Sequence, residues 1–470
     1  MVDIIFPPTT APGIMPAESG GRLINAYSEN LPGLPKAPYV LRRSAGLTQF
    51  SDTTRSGFRG SFFDVARLYT AWNSRLVWTD SAGVTTDIGA LAGTEWVSFA
   101  HNNRTPTPDY VVATSAGLFP FTTGGVGAAL ATPALGNSVT FGEGFFFYSI
   151  ADGRVYASDI NSTTWNSLNR ITAQAAPDVL LRVIYYNGEL YVCGTETIEI
   201  WGSNGNPNPT GFPLNRTTVV WRGLRTPSAI TGWETNFGGR LCWWADDNTI
   251  RMFNGYEPVI ISTPILHKLL EKITDPTTVT MGCFVITGRQ CIYLRAPSFF
   301  WVYDVASNRW HERRSYLSLT SRMMGGATSA FGKWISADAN SGKLAVINED
   351  TALEYGDPLI YAIESQPSQQ YPARMQVARA NFTMQQGTGK PFGGDADVNP
   401  QLEISWTDDD GNTWVPPILR PIGALGAYRT MVDATALGMT GYVGRRWRLA
   451  CSADVYLGVL AGTADVFMRK

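Results

Sequence analysis

The stretch FFDVARLYTAWNSRLVWTD, residues 62–80, decides the reading of this chain: short aromatic and β-branched runs are separated by brief polar breaks. That is the pattern of consecutive antiparallel strands, because such side chains fit a pleated, half-buried surface and the breaks let the chain reverse. The rhythm returns in NSVTFGEGFFFYSIADGRVYASD (137–159), LRVIYYNGELYVCGTETIEIW (181–201), TNFGGRLCWWADDNTIRMFNG (235–255) and FVITGRQCIYLRAPSFFWVYDVASNRW (284–310). Asn187-Gly188, Asp152-Gly153, Gly238-Gly239 and Ser341-Gly342 stand where tight hairpins require positive φ. Units begin near residues 61, 97, 138, 182, 235, 284 and 331, close to the roughly 40–50 residues of a four-stranded propeller blade. The expectation is an all-β chain whose residues 51–361 form an irregular β-propeller of six or seven blades, with stacked β-sandwiches as the other arrangement of so many short strands.

The flanks read differently. Residues 1–50 carry Pro7, Pro8, Pro12, Pro16, Pro32, Pro35 and Pro38, together with scattered apolar and aromatic side chains. We expect an extended N-terminal arm lying on a neighbouring domain or subunit, with Arg22, Leu23, Ile24, Tyr27, Tyr39, Arg42 and Arg43 as its assembly contacts; a simple leader is the plainer reading. Ser262-Thr263-Pro264 followed by ILHKLLEKITD predicts one short amphipathic helix with an N-cap and a proline at its first position. The polar AIESQPSQQYPAR after Tyr361 reads as a linker, and 362–470 as a C-terminal β-sandwich-like domain in which QQGTGKPFGGDADVNP is a mobile exposed loop.

The chain has 470 residues, more than one ordinary core supports, so two or three domains are expected. Its 44% hydrophobic, 12% aromatic and only 16% charged residues suit a surface partly covered by partners. A formal net charge of −2 gives no basic footprint for gripping phosphate backbones. Cys193, Cys242, Cys283, Cys291 and Cys451 make an odd set without a CxxC pair, and His101, His267 and His311 lack metal spacing, so no metal or other cofactor is expected. The start MVDIIFPPTTAPG has no basic region followed by an apolar one, and no membrane-spanning segment is foreseen; assembly in the cytoplasm is expected.

Thr407-Asp408-Asp409-Asp410-Gly411-Asn412-Thr413-Trp414 matches the Asp-box pattern S/T-x-D-x-G-x-T-W. We read Thr407, Asp409, Gly411 and Trp414 as a structural turn: the aspartate holds turn amides, Gly411 takes the left-handed position and Trp414 packs beneath. The box also occurs in sialidase propellers, which keeps a propeller glycan hydrolase or glycan-binding module as the alternative function. Calcium is the other use of dense aspartates, but the EF-hand pattern is broken after Gly411. No GxSxG elbow or acid–base constellation suggests a catalytic site. The doublets Arg42-Arg43, Arg313-Arg314 and Arg445-Arg446 are too short for a nucleic-acid patch and read as solvated faces or subunit salt bridges.

Four stretches carry a resemblance: GGRLINAYSENLPGLPKAPYVLRRSAGL (20–47), FFWVYDVASNRWHERRSY (299–316), LEISWTDDDGNTW (402–414) and GRRWRLACSADVYLGVLAG (444–462). In combination and order they resemble the tail nozzle, or packaged-DNA stabilisation, proteins of short-tailed bacteriophages. The resemblance implies a virion structural protein that forms a homo-hexameric ring beneath the portal and its twelve-fold adaptor ring protein. It implies that genomic DNA passes through the lumen without specific binding, and that the ring retains the packaged genome until ejection. Tail fibre or tailspike and tail needle proteins stand as further candidate partners. It supplies no catalytic residue, and places the protein in the virion tail after assembly in the host cytoplasm.

Overall fold

The computed structural model describes residues 1–31, 38–205, 211–369 and 374–469. Its chain divides into two compact units: one of Met1–Thr48, Pro297–Ser321 and Ile347–Lys470, the other of Gln49–Ala296 and Arg322–Val346.

The second unit is a β-propeller. Five four-stranded antiparallel sheets follow one another along the chain, spanning Phe58–Ala90, Ser98–Val126, Ser138–Thr172, Leu180–Val220 and Ile230–Ile260. A sixth contributes the hairpin Thr280–Ile286 and Arg289–Arg295. The seventh contains Thr328–Ala330, Lys333–Ala337 and the adjoining Lys343–Asn348, and the unit's part of the strand Gly46–Asp52 lies along its edge. Thr53 fixes that closure, its N–H and hydroxyl donating to the Gly342 carbonyl at 2.9 and 2.8 Å. Seven inner strands therefore begin near the seven positions where the sequence rhythm restarts.

Turn chemistry accounts for several of the hairpins. Asn187 and Gly188 have φ of 52° and 81°, the paired left-handed conformation of a tight two-residue loop. Two expected turns are longer. Gly238-Gly239 lies inside the loop joining Ile230–Thr231 to Cys242–Trp244, and Ser341-Gly342 ends a five-residue connection organised by Asp338, which accepts from Ser341. Here side-chain capping lengthens a reversal that composition alone suggested was tight.

Hydroxyls stitch successive inner strands into a ring. Ser98 Oγ accepts from Val139 N–H at 2.8 Å, and Thr140 Oγ1 accepts from Tyr185 N–H at 3.0 Å. Ser228 Oγ donates to Val279 O at 2.7 Å, Thr280 Oγ1 accepts from Gly325 N–H at 3.1 Å, and Ser61 Oγ donates to Gly326 O at 2.9 Å. Between the fourth and fifth blades the link is Arg182, whose Nη1 donates to Pro227 O at 2.6 Å. Between the first and second it is backbone, Val97 N–H to Arg59 O at 3.0 Å.

The first unit is a β-sandwich, and it departs from the expected consecutive segments 1–50, 51–361 and 362–470. Its first sheet pairs Ala26–Asn30 with Tyr39–Arg43, then Gly458–Arg469, Arg374–Met384 and Asp433–Thr435; Val2–Ile4 also pairs with Gly458–Arg469. Its second runs from Arg309–Glu312 through Arg22–Ile24, Tyr361–Glu364, Arg446–Cys451 and Gln401–Thr407 to Ile418–Pro421. Leu23, Leu41, Ile363, Phe382, Leu402, Trp447 and Val459 fill one core between them.

The supposed arm is thus woven into both sheets of its own chain. Tyr39–Arg43 is an internal strand, although the proline density argued against one. Pro7, Pro8, Pro12, Pro16 and Pro38 fall outside the strands, where a missing N–H removes no ladder bond; Pro32 and Pro35 lie outside the described residues. The supposed linker AIESQPSQQYPAR likewise opens with the central strand Tyr361–Glu364, in which Ile363 is fully buried; its residues 370–373 also lie outside the described residues. The loop expected to be mobile carries the short helix Asp395–Val398, an ion pair from Lys390 to Asp454, and Asp397 Oδ1 accepting from Asp454 N–H at 2.7 Å.

The helix forms at Pro264–Glu271, burying Leu266 and Leu270. Thr263 occupies the N-cap without a side-chain cap bond. Its neighbour Ser262 instead accepts from Ile250 N–H at 2.8 Å and bonds His267 Nε2 at 2.6 Å. Proline at the first position needs no donor satisfied there, so the helix starts without the expected cap.

Because Leu23 is fully enclosed, Leu23→Ala should lower unfolding stability by about 2–5 kcal/mol, whereas Leu317→Ala, on a side chain 88% exposed, should change it by less than about 0.5 kcal/mol. Urea unfolding of the full chain checks both. Equal effects would mean that the N-terminal strands do not belong to the sandwich core.

Candidate functional site

Three constellations gather the chemistry of the chain. The first is the Asp-box, at the end of the strand Gln401–Thr407. Asp409 Oδ1 accepts from Thr413 N–H at 2.8 Å and from Thr407 Oγ1 at 2.7 Å, and its Oδ2 accepts from Thr413 Oγ1 at 2.6 Å. Thr407 Oγ1 in turn accepts from Gly411 N–H at 3.1 Å. Those donors stabilise the charged carboxylate and bring its pKa down to about 2. Asp410 and Gly411 both turn left-handed, with φ of 59° and 94°. Trp414 stacks on the guanidinium of Arg448, whose carbon lies 3.7 Å from its ring centre.

The three adjacent aspartates face separate partners. Asp408 is held by Arg445 through two bonds of 2.8 Å, Asp409 by the threonines, and Asp410 faces Arg446 at 3.7 Å. Arg445 is nearly enclosed and lies against the rings of Trp406 and Trp447, 5.2 and 5.6 Å from their centres. This doublet is therefore internal, contrary to the solvated face expected of it.

The second constellation collects the supposed arm contacts. Arg22 makes a two-pronged pair with Glu312, at 2.9 and 2.6 Å, while Arg314 and Thr10 bond the same carboxylate at 3.0 and 2.9 Å. Burial alone would raise the pKa of Glu312, but Arg22 and Arg314 prevail and hold it below the usual carboxylate range. Asn25, left-handed at φ 51°, accepts from Arg314 N–H at 2.8 Å and donates to Ile360 O, also at 2.8 Å. Leu23 lies in the core, and Ile24 aligns with Ala362 across the ladder. Tyr39 donates to Phe6 O at 2.5 Å, Tyr27 packs near His311, and Arg42 pairs with Glu29 over the Tyr456 ring. Arg43 donates to the carbonyls of Leu359, Cys451, Val455 and Ala453, and its burial lowers its pKa. Every residue assigned to outside contact except Ile24, which pairs through its backbone, has a side-chain contact or core position within its own unit. A neighbouring pair, Arg313 and Glu354, is buried at 2.6 Å with Ser315 also bonding the acid. Glu312, Glu354 and Asn25 escaped the sequence reading because their partners lie far away along the chain.

The third constellation is axial in the propeller. A cavity of about 120 Å³ is lined from all seven inner strands or their leads, by residues including Ser61, Val97, Thr140, Arg182, Glu234 and Thr328. Glu234 accepts from Thr231 Oγ1 and Gly232 N–H, both at 2.6 Å, and from Cys283 Sγ at 3.1 Å. All five cysteines are buried, and burial pushes the Cys193 thiol up to about 12, far from nucleophilic use.

Residues 16–352 match the family model described as Bacteriophage P22 Gp10, beta-propeller. Among solved structures, virginiamycin B lyase from Staphylococcus aureus aligns with 64% of this chain and 98% of its own at 11% identity and a TM-score of 0.43. The WD40 β-propeller domain of Doa1 aligns with 64% of this chain and 95% of its own, at 10% identity and a TM-score of 0.37. The computationally designed Ika8 protein aligns over 68% and 96% respectively, at 13% identity and a TM-score of 0.36. No curated protein matches the sequence.

Two outcomes are expected of the charged groups. Glu312→Ala would strand Arg22 and Arg314, and removing one member of a buried pair costs about 3–5 kcal/mol, measurable by urea unfolding; a loss below 1 kcal/mol would make the network ornamental. Asp409→Asn should lower the melting temperature at neutral pH. Because the folded carboxylate titrates near 2 and an unfolded one near ~3.9, the wild-type advantage is complete above the higher value and disappears as pH falls through the lower. An advantage that persists unchanged below both values would refute the turn's electrostatic role.

Proposed function

Because the chain belongs to the phage stabilisation family, matched over residues 16–352, we propose that this structural component of a phage tail works as the nozzle ring. In this reading several copies close head to tail below the portal and its adaptor, extend the DNA channel, and retain the packaged genome until ejection. A head-to-tail contact closes into a ring when its rotation divides the circle, and the number six follows the resemblance to tail nozzle proteins. The observation that carries the proposal is the family match. It is supported by a formal net charge of −2, which suits a conduit: lysines and arginines lining it would grip phosphates in a salt-dependent way and slow passage.

The ring works without catalysis in this proposal. The Asp-box had raised glycan hydrolysis, but Asp409 is committed to Thr407 and Thr413, which favours a turn over a reacting group. Assembly takes place in the host cytoplasm on the portal complex, and tail fibre or tailspike and tail needle proteins join later. No helix among the described residues is long and apolar enough to cross a membrane.

Mixing the purified chain with a portal that carries its adaptor ring, then imaging the product by electron cryomicroscopy, should reveal a closed six-membered ring on the adaptor with an open lumen of neutral or acidic lining. A chain that never joins the complex, or a lumen lined by lysine and arginine, would defeat the proposal.

A further inference from the structure

The propeller's axial cavity contains a buried cation that no carboxylate of the described residues pairs with directly. Arg182 is 93% buried, being 7% exposed, and its guanidinium is met by one carbonyl, that of Pro227 at 2.6 Å, and by the Trp233 ring, whose centre lies 4.5 Å away. Among the described residues no carboxylate forms an ion pair with it, and its Nε–H has no acceptor. The indole N–H of Trp96, which lines the same cavity, is buried and unaccepted too. A buried charge is costly unless it is paired, and so is a buried donor left without an acceptor.

The other polar groups on this wall are engaged. Ser61 and Thr328 share a hydroxyl bond of 2.6 Å, Thr140 accepts from Tyr185, and Glu234 already takes three donors. Buried without any partner are the Arg182 Nε–H and the Trp96 indole N–H, groups that can only donate. The cavity therefore asks for an acceptor, and the bare cation asks for a negative one. A water molecule would meet an N–H but give the guanidinium no directly paired anion. The Glu234 carboxylate on the same wall opposes a second negative charge, which favours a monoanion over a dianion.

We infer that the axial cavity is a binding site for a small carboxylate, held by the Arg182 guanidinium and the Trp96 indole N–H. Burial already draws the Arg182 pKa down to about 10 despite the raising influence of Glu234, in keeping with a cation whose counter-ion comes from outside the chain. Through Arg182 in the fourth blade and Trp96 at the lead of the second, the ligand would join two blades that have one blade between them. This assignment is independent of the tail role, because it rests on the propeller alone.

The test is calorimetric titration of the full chain with sodium acetate and, separately, with inorganic phosphate, on wild type, Arg182→Met and Trp96→Phe. Saturable acetate binding is expected in wild type, at least tenfold weaker in Arg182→Met and several-fold weaker in Trp96→Phe, with phosphate weaker than acetate throughout. Absence of saturable acetate binding, equal binding by the variants, or tighter binding of phosphate would overturn the assignment. So would an axial cavity that holds only water when the structure is determined in acetate. Should Arg182→Met fail to fold, undiminished acetate binding by Trp96→Phe overturns it equally.

Discussion

A ring of short sheets holds only if the free, axis-facing edge of every inner strand finds hydrogen-bond partners in the next sheet. Blades cannot share a continuous ladder as strands of one sheet do, since each ladder runs radially outward; only single backbone bonds such as Val97 N–H to Arg59 O cross between them. In this chain the gap is bridged by hydroxyls of Ser61, Ser98, Thr140, Ser228 and Thr280, each bonding a main-chain group about one blade away. An unmet buried amide costs as much as a lost hydrogen bond, so these few small side chains set how closely blades approach and leave a narrow axis. Arg182 performs the same service for the fourth and fifth blades with a longer arm and a charge. That substitution gives the axis its chemical character.

The sandwich depends on a different economy, in which arginine replaces hydroxyl. Arg22, Arg43, Arg313, Arg445 and Arg448 each reach from one stretch of the unit to another and end on a carboxylate or a group of carbonyls. The planar, many-donor guanidinium suits this use, since one side chain can satisfy several acceptors at once. It also explains how a chain with only 16% charged residues keeps so many of its cations away from solvent.

What the sequence disclosed follows from what is local. Strand rhythm, the Asn187-Gly188 turn and the helix start at Pro264 are each decided within a few residues, and all were legible. The Asp-box was legible as a turn for the same reason, although the partner of Trp414 was not. The N-terminal segment misled because proline spacing is a local signal and its strand pairing is not: nothing near Tyr39 announces that Leu41 aligns with Val459. Likewise the doublets at 313–314 and 445–446 looked like solvent-facing charge because Glu354, Glu312 and Asp408 are distant in sequence or ambiguous among many acids. Arg182 and Trp96 are unremarkable letters until the blades bring them to one axis.

The pairing of Leu41 with Val459 also puts the fold on a clock. At typical elongation of roughly 5–20 residues per second, about 20–80 s separate synthesis of these two residues. Throughout that interval the propeller strands between them emerge and can close, while Leu23, Tyr27 and Leu41 wait with their apolar faces uncovered. Sheets completed by such distant contacts form slowly because the loop entropy must be overcome first. The ribosome thus imposes an order on the molecule: propeller early, sandwich last. Until Gly458–Arg469 emerges, the nascent chain carries an open edge on Tyr39–Arg43, the edge that this later strand comes to cover.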